Sequence, residues 1–104
     1  MELVTNTYRV TQAFPKEEMF GLTSQVRRSA ISIPSNIDEG RGRLGRKEFI
    51  YFLGNARGLL MELETQIIIA KNLRYRDESE MDDLLESASE VGKILNGLLS
   101  SLKD

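Results

Sequence analysis

Carboxylates, arginines and side-chain amides are the groups with which this chain could do chemistry, because it contains neither histidine nor cysteine. Without histidine the commonest general base and the commonest metal ligand are missing together. Without cysteine there is no thiol nucleophile, no redox couple and no disulfide framework. The carboxylates worth weighing are Asp38 and Glu39, close to Asn36, and Glu62 and Glu64, close to Gln66. Were Asp38, Glu39, Glu62 and Glu64 to converge in a cleft, they could bind a divalent cation and serve a metal-dependent nuclease. The reading favoured here is structural: a polar network of Asn36, Glu39, Glu62, Glu64 and Gln66, in which Arg27 or Arg28 meets Glu62 or Glu64 between helices or across subunits. Such a network fixes register more than it adds stability. A di-iron bundle needs Glu-x-x-His pairs, which the chain cannot form. No catalytic residue, metal ligand or cofactor is assigned.

The cations point elsewhere. Arg27 and Arg28, followed by Arg41, Arg43, Arg46 and Lys47, form a basic set whose second part surrounds a glycine-containing turn. Arginine forks suit phosphate oxygens, and a turn feeding a helix N-terminus adds backbone donors. Tyr51, about a turn further on, could stack on a base. These residues are the candidate contact for RNA, DNA or a nucleic-acid-processing protein, with no feature that reads specific bases. Gly40-Arg41-Gly42 follows no strand and lacks the lysine-serine ending of a phosphate loop. The net charge of −2 hides a division: residues 21–76 hold ten Arg/Lys against five acids, and residues 77–104 hold eight acids against two lysines. The basic middle and acidic tail could pair within or between subunits, or leave a basic face free.

These groups need a scaffold, and the pattern of apolar residues supplies one. At 104 residues with 40% hydrophobic and 29% charged content, the chain suits one globular domain. No apolar run is long enough to span a bilayer, and Met1–Asn6 lacks the features of a secretory signal, so a cytoplasmic protein is expected. Helical periodicity predicts an all-α protein, an antiparallel up-down-up-down four-helix bundle with helices over about 2–13, 22–40, 46–73 and 79–102. Leu22, Val26, Ala30, Ile33 and Ile37 keep one stripe straight through Pro34, although a proline inside a helix costs about 3 kcal/mol. A break near Ile33 with a restart at Ser35 or Asn36 is the alternative; continuity of the stripe predicts a single helix kinked at the proline. Asp77 with Glu80 has the spacing of a capping box, with Ser79 as a rival cap.

The third helix is more apolar than one bundle core requires. Ile67, Ile68 and Ile69 place apolar groups nearly all round it, and together with Ile50 they predict a surface covered by other copies of the chain. Gly54, Gly58, Gly92 and Gly97 within helices each cost about 1 kcal/mol relative to alanine, which suggests close packing between subunits.

Several blocks resemble one known family. They are Phe14-Pro15-Lys16-Glu17-Glu18, Phe20-Gly21-Leu22-Thr23-Ser24-Gln25, Arg27-Arg28, Ser32-Ile33-Pro34 with Asn36-Ile37, Glu39-Gly40, Glu48-Phe49, Phe52-Leu53, Ala56, Glu62-Leu63-Glu64-Thr65-Gln66, Leu73 and Gly92-Lys93-x-Leu95-Asn96-Gly97-Leu98. The chain resembles the four-helix-bundle proteins encoded within intervening sequences of bacterial large-subunit ribosomal RNA genes. The accessory variability determinant of diversity-generating retroelements is similar to the same family. The resemblance implies a homopentameric barrel of bundles without enzymatic activity. It also implies a first helix that starts farther upstream and carries a tryptophan, whereas this chain has no Trp and opens inside that helix. The retroelement protein is expected to bind a reverse transcriptase and nucleic acid through a strongly basic surface. An acidic isoelectric point near 5.2 argues against carrying that role over whole.

Overall fold

The computed structural model describes residues 1–103. They form α1 (Glu2–Thr11), a short 3₁₀ turn (Lys16–Glu18), α2 (Leu22–Arg41), α3 (Arg46–Asn72) and α4 (Glu78–Leu102), with no strand among the described residues. The protein is the all-α bundle that the periodicity predicts.

Differences from the expected boundaries are small and have local causes. The first helix stops at Thr11 rather than 13, because the Ala13 and Phe14 amides bond three residues back, to Val10 and Thr11, as the chain tightens toward Pro15. Asp77 occupies the cap position of α4, yet its side chain makes no capping bond. The expected capping box is absent because Glu80 turns to Arg76, accepting from its Nε at 2.8 Å and its Nη2 at 3.0 Å. Ser79 lies inside the helix.

Helix α2 runs unbroken through Pro34, so the alternative of two shorter helices is not what forms. Pro34 cannot bond the Ala30 carbonyl. Just beyond it, Ser35 Oγ donates to the Ile31 carbonyl at 3.0 Å and Asn36 Nδ2 to the Ser32 carbonyl at 2.8 Å. Val26, Ala30 and Ile33 are buried before the proline, and Ile37 beyond it packs partly buried against the same core, so one apolar face continues past the fault and holds the helix together.

Each helix packs on its chain neighbours, and α1 also touches α4. Arg46 at the start of α3 bonds the Leu102 carbonyl at the end of α4, while Lys71 near the end of α3 pairs with Asp82 near the start of α4. These two helices therefore run in opposite directions. One core runs along the bundle: Leu3 and Val10 from α1, Ile33 from α2, Leu53, Leu60, Leu63 and Ile67 from α3, Met81 and Leu95 from α4. Gly40 allows α2 and α3 to approach closely. A Cβ there would lie 2.9 Å from both Phe49 Cδ1 and Phe52 Cβ. The body measures 44 × 23 × 18 Å; at about 1.5 Å per residue, α3 alone spans most of its length and α1 less than half.

Candidate interaction surfaces

The carboxylates do not converge. Glu39 lies in the last turn of α2, where its Oε2 accepts from Arg43 Nε at 3.1 Å and Nη2 at 2.7 Å. Glu62 Oε1 accepts a long 3.4 Å bond from Gln66 Nε2, one turn further along α3. Asn36 is spent on its own helix. Among the described residues no three His, Cys, Asp or Glu groups stand close enough together to hold a metal ion. The geometry therefore gives the nuclease alternative no cleft of acids.

Within the chain, the expected bridge from Arg27 or Arg28 to Glu62 or Glu64 does not form either. Arg27 projects toward α1, not α3. Its Nε donates to Thr11 Oγ1 at 2.8 Å, its Nη2 to the Tyr8 carbonyl at 3.4 Å, and its guanidinium lies 4.6 Å from the centre of the Tyr8 ring. Arg28 is exposed and has no partner among the described residues. Sequence spacing alone could not tell which flank of α2 faces the shorter helix.

Polar cross-links collect instead where α1, the 3₁₀ turn and the α3–α4 turn meet. Arg76 and Arg9 both reach Glu80, the latter at 3.5 Å. Lys71 Nζ lies 2.6 Å from Asp82. The Tyr75 hydroxyl donates to Glu18 Oε2 at 2.7 Å, and its ring lies 5.6 Å from that of Phe14. The Tyr75 bond, helped by the Leu22 amide, holds the Glu18 carboxyl below its ordinary range and pushes the Tyr75 phenol up. Arg76 likewise lowers Glu80, and Asp82 raises Lys71. Arg76–Glu80 has the four-residue spacing of a helix-face pair; Lys71–Asp82 spans the α3–α4 turn, and Arg9–Glu80 and Glu18–Tyr75 join segments far apart in sequence.

The basic set is divided by the fold. Arg27 and Arg28 lie beside α1, whereas Arg41, Arg43, Arg46 and Lys47 surround the α2–α3 turn, about 20 Å away along α2 at 1.5 Å per residue. Within the turn, Arg43 is neutralised by Glu39 and rests 5.1 Å from the centre of the Phe52 ring. Arg46 Nε donates to the Leu102 carbonyl at 2.7 Å, where a cation complements the negative end of α4. The N-terminus of α3 is already covered, since the Glu48 carboxylate fills the space beside Gly45 that a Cβ would need. Arg41 and Lys47 stay exposed, and Tyr51 is 64% exposed with its ring edge-on to Phe52.

The four isoleucines separate too. Ile67 is 1% exposed and packs inside its own subunit, so of the expected interface set it is the one that belongs to the core. Ile50 is half-buried, while Ile68 and Ile69 are exposed. Their neighbours show why. Tyr51, Gly54, Gly58, Met61, Thr65, Ile68 and Asn72 are all exposed and follow each other at alternating steps of three and four. None is charged. The core row Leu53, Ala56, Leu60, Leu63, Ile67 and Ala70 has the same spacing, so α3 carries one seam inward and a second outward. Gly54 and Gly58 have nothing within 4 Å of where a Cβ would stand. Gly92, by contrast, admits Leu60 at 3.2 Å and is explained within the subunit.

Fold and surfaces together define a four-helix-bundle protein whose longest helix carries an uncharged row on its outer side. More particularly, the chain belongs to the 23S rRNA-intervening sequence protein family, whose profile matches residues 1–97. It is similar in fold to a solved protein of unknown function from the S23 ribosomal protein family of Bacteroides thetaiotaomicron, with a TM-score of 0.80 and 24% identity over 97% of this chain and 89% of that one. None of the curated proteins compared with it matches. Among the described residues no helix is long and apolar enough to cross a membrane.

Proposed function

We propose that this protein is a non-enzymatic interaction module that works as a homo-oligomer, with the outer seam of α3 joining the copies. The observation that carries this reading is the uncharged row from Tyr51 to Asn72. A solvent-facing helix surface is ordinarily polar, and three-four spacing is that of a helix seam closed by a partner helix. Two glycines that relieve no contact inside the subunit each cost about 1 kcal/mol of helix propensity; a close helix on the outside gives them a purpose. Five copies, as family resemblance implies, is the expected number.

The α2–α3 turn is the site proposed for RNA, DNA or a nucleic-acid-processing protein, with Arg41 and Lys47 as its free cations and Tyr51 beside them. Arg43 and Arg46 support it by ordering the turn. Acidic α4 limits the charge available, so contact with phosphate would be weak and salt-sensitive.

Sedimentation velocity tests the first part. The unmodified chain is expected to sediment as an oligomer at micromolar concentration, and Ile68→Asp as a folded monomer. A monomeric unmodified chain overturns the proposal. For the second part, Arg41→Glu with Lys47→Glu should abolish low-salt binding of a single-stranded RNA; absence of binding by the unmodified protein removes that branch.

A further inference from the structure

A second surface lies at the corner between α1 and α2, and no residue of α3 lines it. Two adjoining hollows, of about 360 and 280 Å³, open on either side of Met19. Met19, Thr23 and Arg27 line both; Tyr8, Phe20 and Arg28 border the first, and Pro15 and Lys16 the second. Phe20 is 95% exposed and Met19 55%. No carboxylate is among the lining residues of either hollow, although acids outnumber bases in the chain as a whole.

Thr23, which lines both hollows, carries an unpaired polar atom. Its residue is 6% exposed, yet its hydroxyl has no hydrogen-bond partner. Thr5, Thr7, Thr11 and Thr65 each donate to the carbonyl four residues back. Thr23 stands in the first turn of α2, where the residue four back lies in the connection before the helix. A buried unpaired hydroxyl is costly, and this one lies under the floor that the two hollows share.

We infer that this corner docks an acidic segment of a partner protein, with a large apolar side chain entering the hollow beside Thr23 and carboxylates meeting Arg28 and Lys16. Tyrosine, methionine, phenylalanine and arginine are the residue types enriched where protein partners bind tightly. A nucleic acid is disfavoured because Arg27 already spends its Nε and one Nη on α1 and covers a face of Tyr8, which leaves Phe20 alone for stacking.

Selection from a random peptide-display library, followed by fluorescence anisotropy with the enriched peptides, tests this. Enriched sequences should combine a large apolar residue with two or more acids. Phe20→Ala and Arg28→Glu, both at exposed positions, should each weaken binding by about tenfold or more. Ile68→Asp should bind as tightly as the unmodified chain, which separates this site from the seam. The inference is overturned if no peptide is enriched, if those enriched lack acids, or if neither corner variant weakens them. It is equally overturned if oligothymidylate displaces the peptides and loses its own binding in the same variants.

Discussion

Replacing Gly40 by alanine tests a close joint of the fold, where the helix carrying the arginine turn meets the helix carrying the outer seam. The added methyl would sit 2.9 Å from Phe52 Cβ and 2.9 Å from Phe49 Cδ1. The Phe49 ring can rotate away. Phe52 Cβ cannot, because it is fixed to the backbone of α3, so the two helices must separate. Overpacking of this kind costs roughly 1–3 kcal/mol, and alanine returns about 1 kcal/mol of helix propensity. A net loss of about 1 kcal/mol is expected, with a fall in Tm of about 4–8 °C for a domain of this size. Gly97→Ala is the control. Nothing in its own subunit lies within 4 Å of its Cβ position, and it stands on α4 rather than on the α3 seam, so it should gain a few tenths to about 1 kcal/mol. Urea unfolding followed by far-ultraviolet circular dichroism, at matched protein concentration, reads both. If Gly40→Ala is as stable as Gly97→Ala, the close approach of α2 and α3 is wrong.

Leu53→Ala empties a fully buried position and should lose about 2–5 kcal/mol in the same unfolding assay. Arg27→Ala removes a 2.8 Å bond and a ring contact that tie α2 to α1; it should cost about 1–2 kcal/mol, while Arg28→Ala should be nearly neutral, and hydrogen exchange should show α1 opening first. In acid, Glu18 and Glu80 lose their contributions: both fold with pKa values below the ordinary 4.5, so the stabilisation is complete above that value and disappears as pH falls through the folded ones. In alkali the sign reverses for Tyr75 and Lys71, whose folded values are raised above 10.0 and 10.5; their share is present below those values and is lost as pH rises through the folded ones. Thermal melts across the two ranges should show both limbs, and Tyr75→Phe should move the NMR titration of Glu18 upward.

Local pattern determined most of the scaffold. Runs of three-four spacing specified four helices, and the continuous stripe from Leu22 to Ile37 outweighed Pro34, because burying one apolar face is worth more than a single backbone bond. The excess of apolar groups on the third helix was visible for the same reason. Which of them face outward was not: Ile67 and Ile68 are adjacent in sequence, and only the packing of α2 and α4 against α3 sends one into the core and the other to the surface. The charged groups were legible as types but not as partners. Arg27 meets Thr11 and Tyr8 because α1 packs against α2, and Tyr75 meets Glu18 because the α3–α4 turn comes beside the 3₁₀ turn. One basic set became two for a geometric reason, since α2 is a rigid rod with Arg27 near one end and Arg41 at the other. Periodicity is a property of neighbouring residues and can be read along the chain; the direction of a long flexible side chain depends on which helix lies beside it, and that is decided only when the rods assemble.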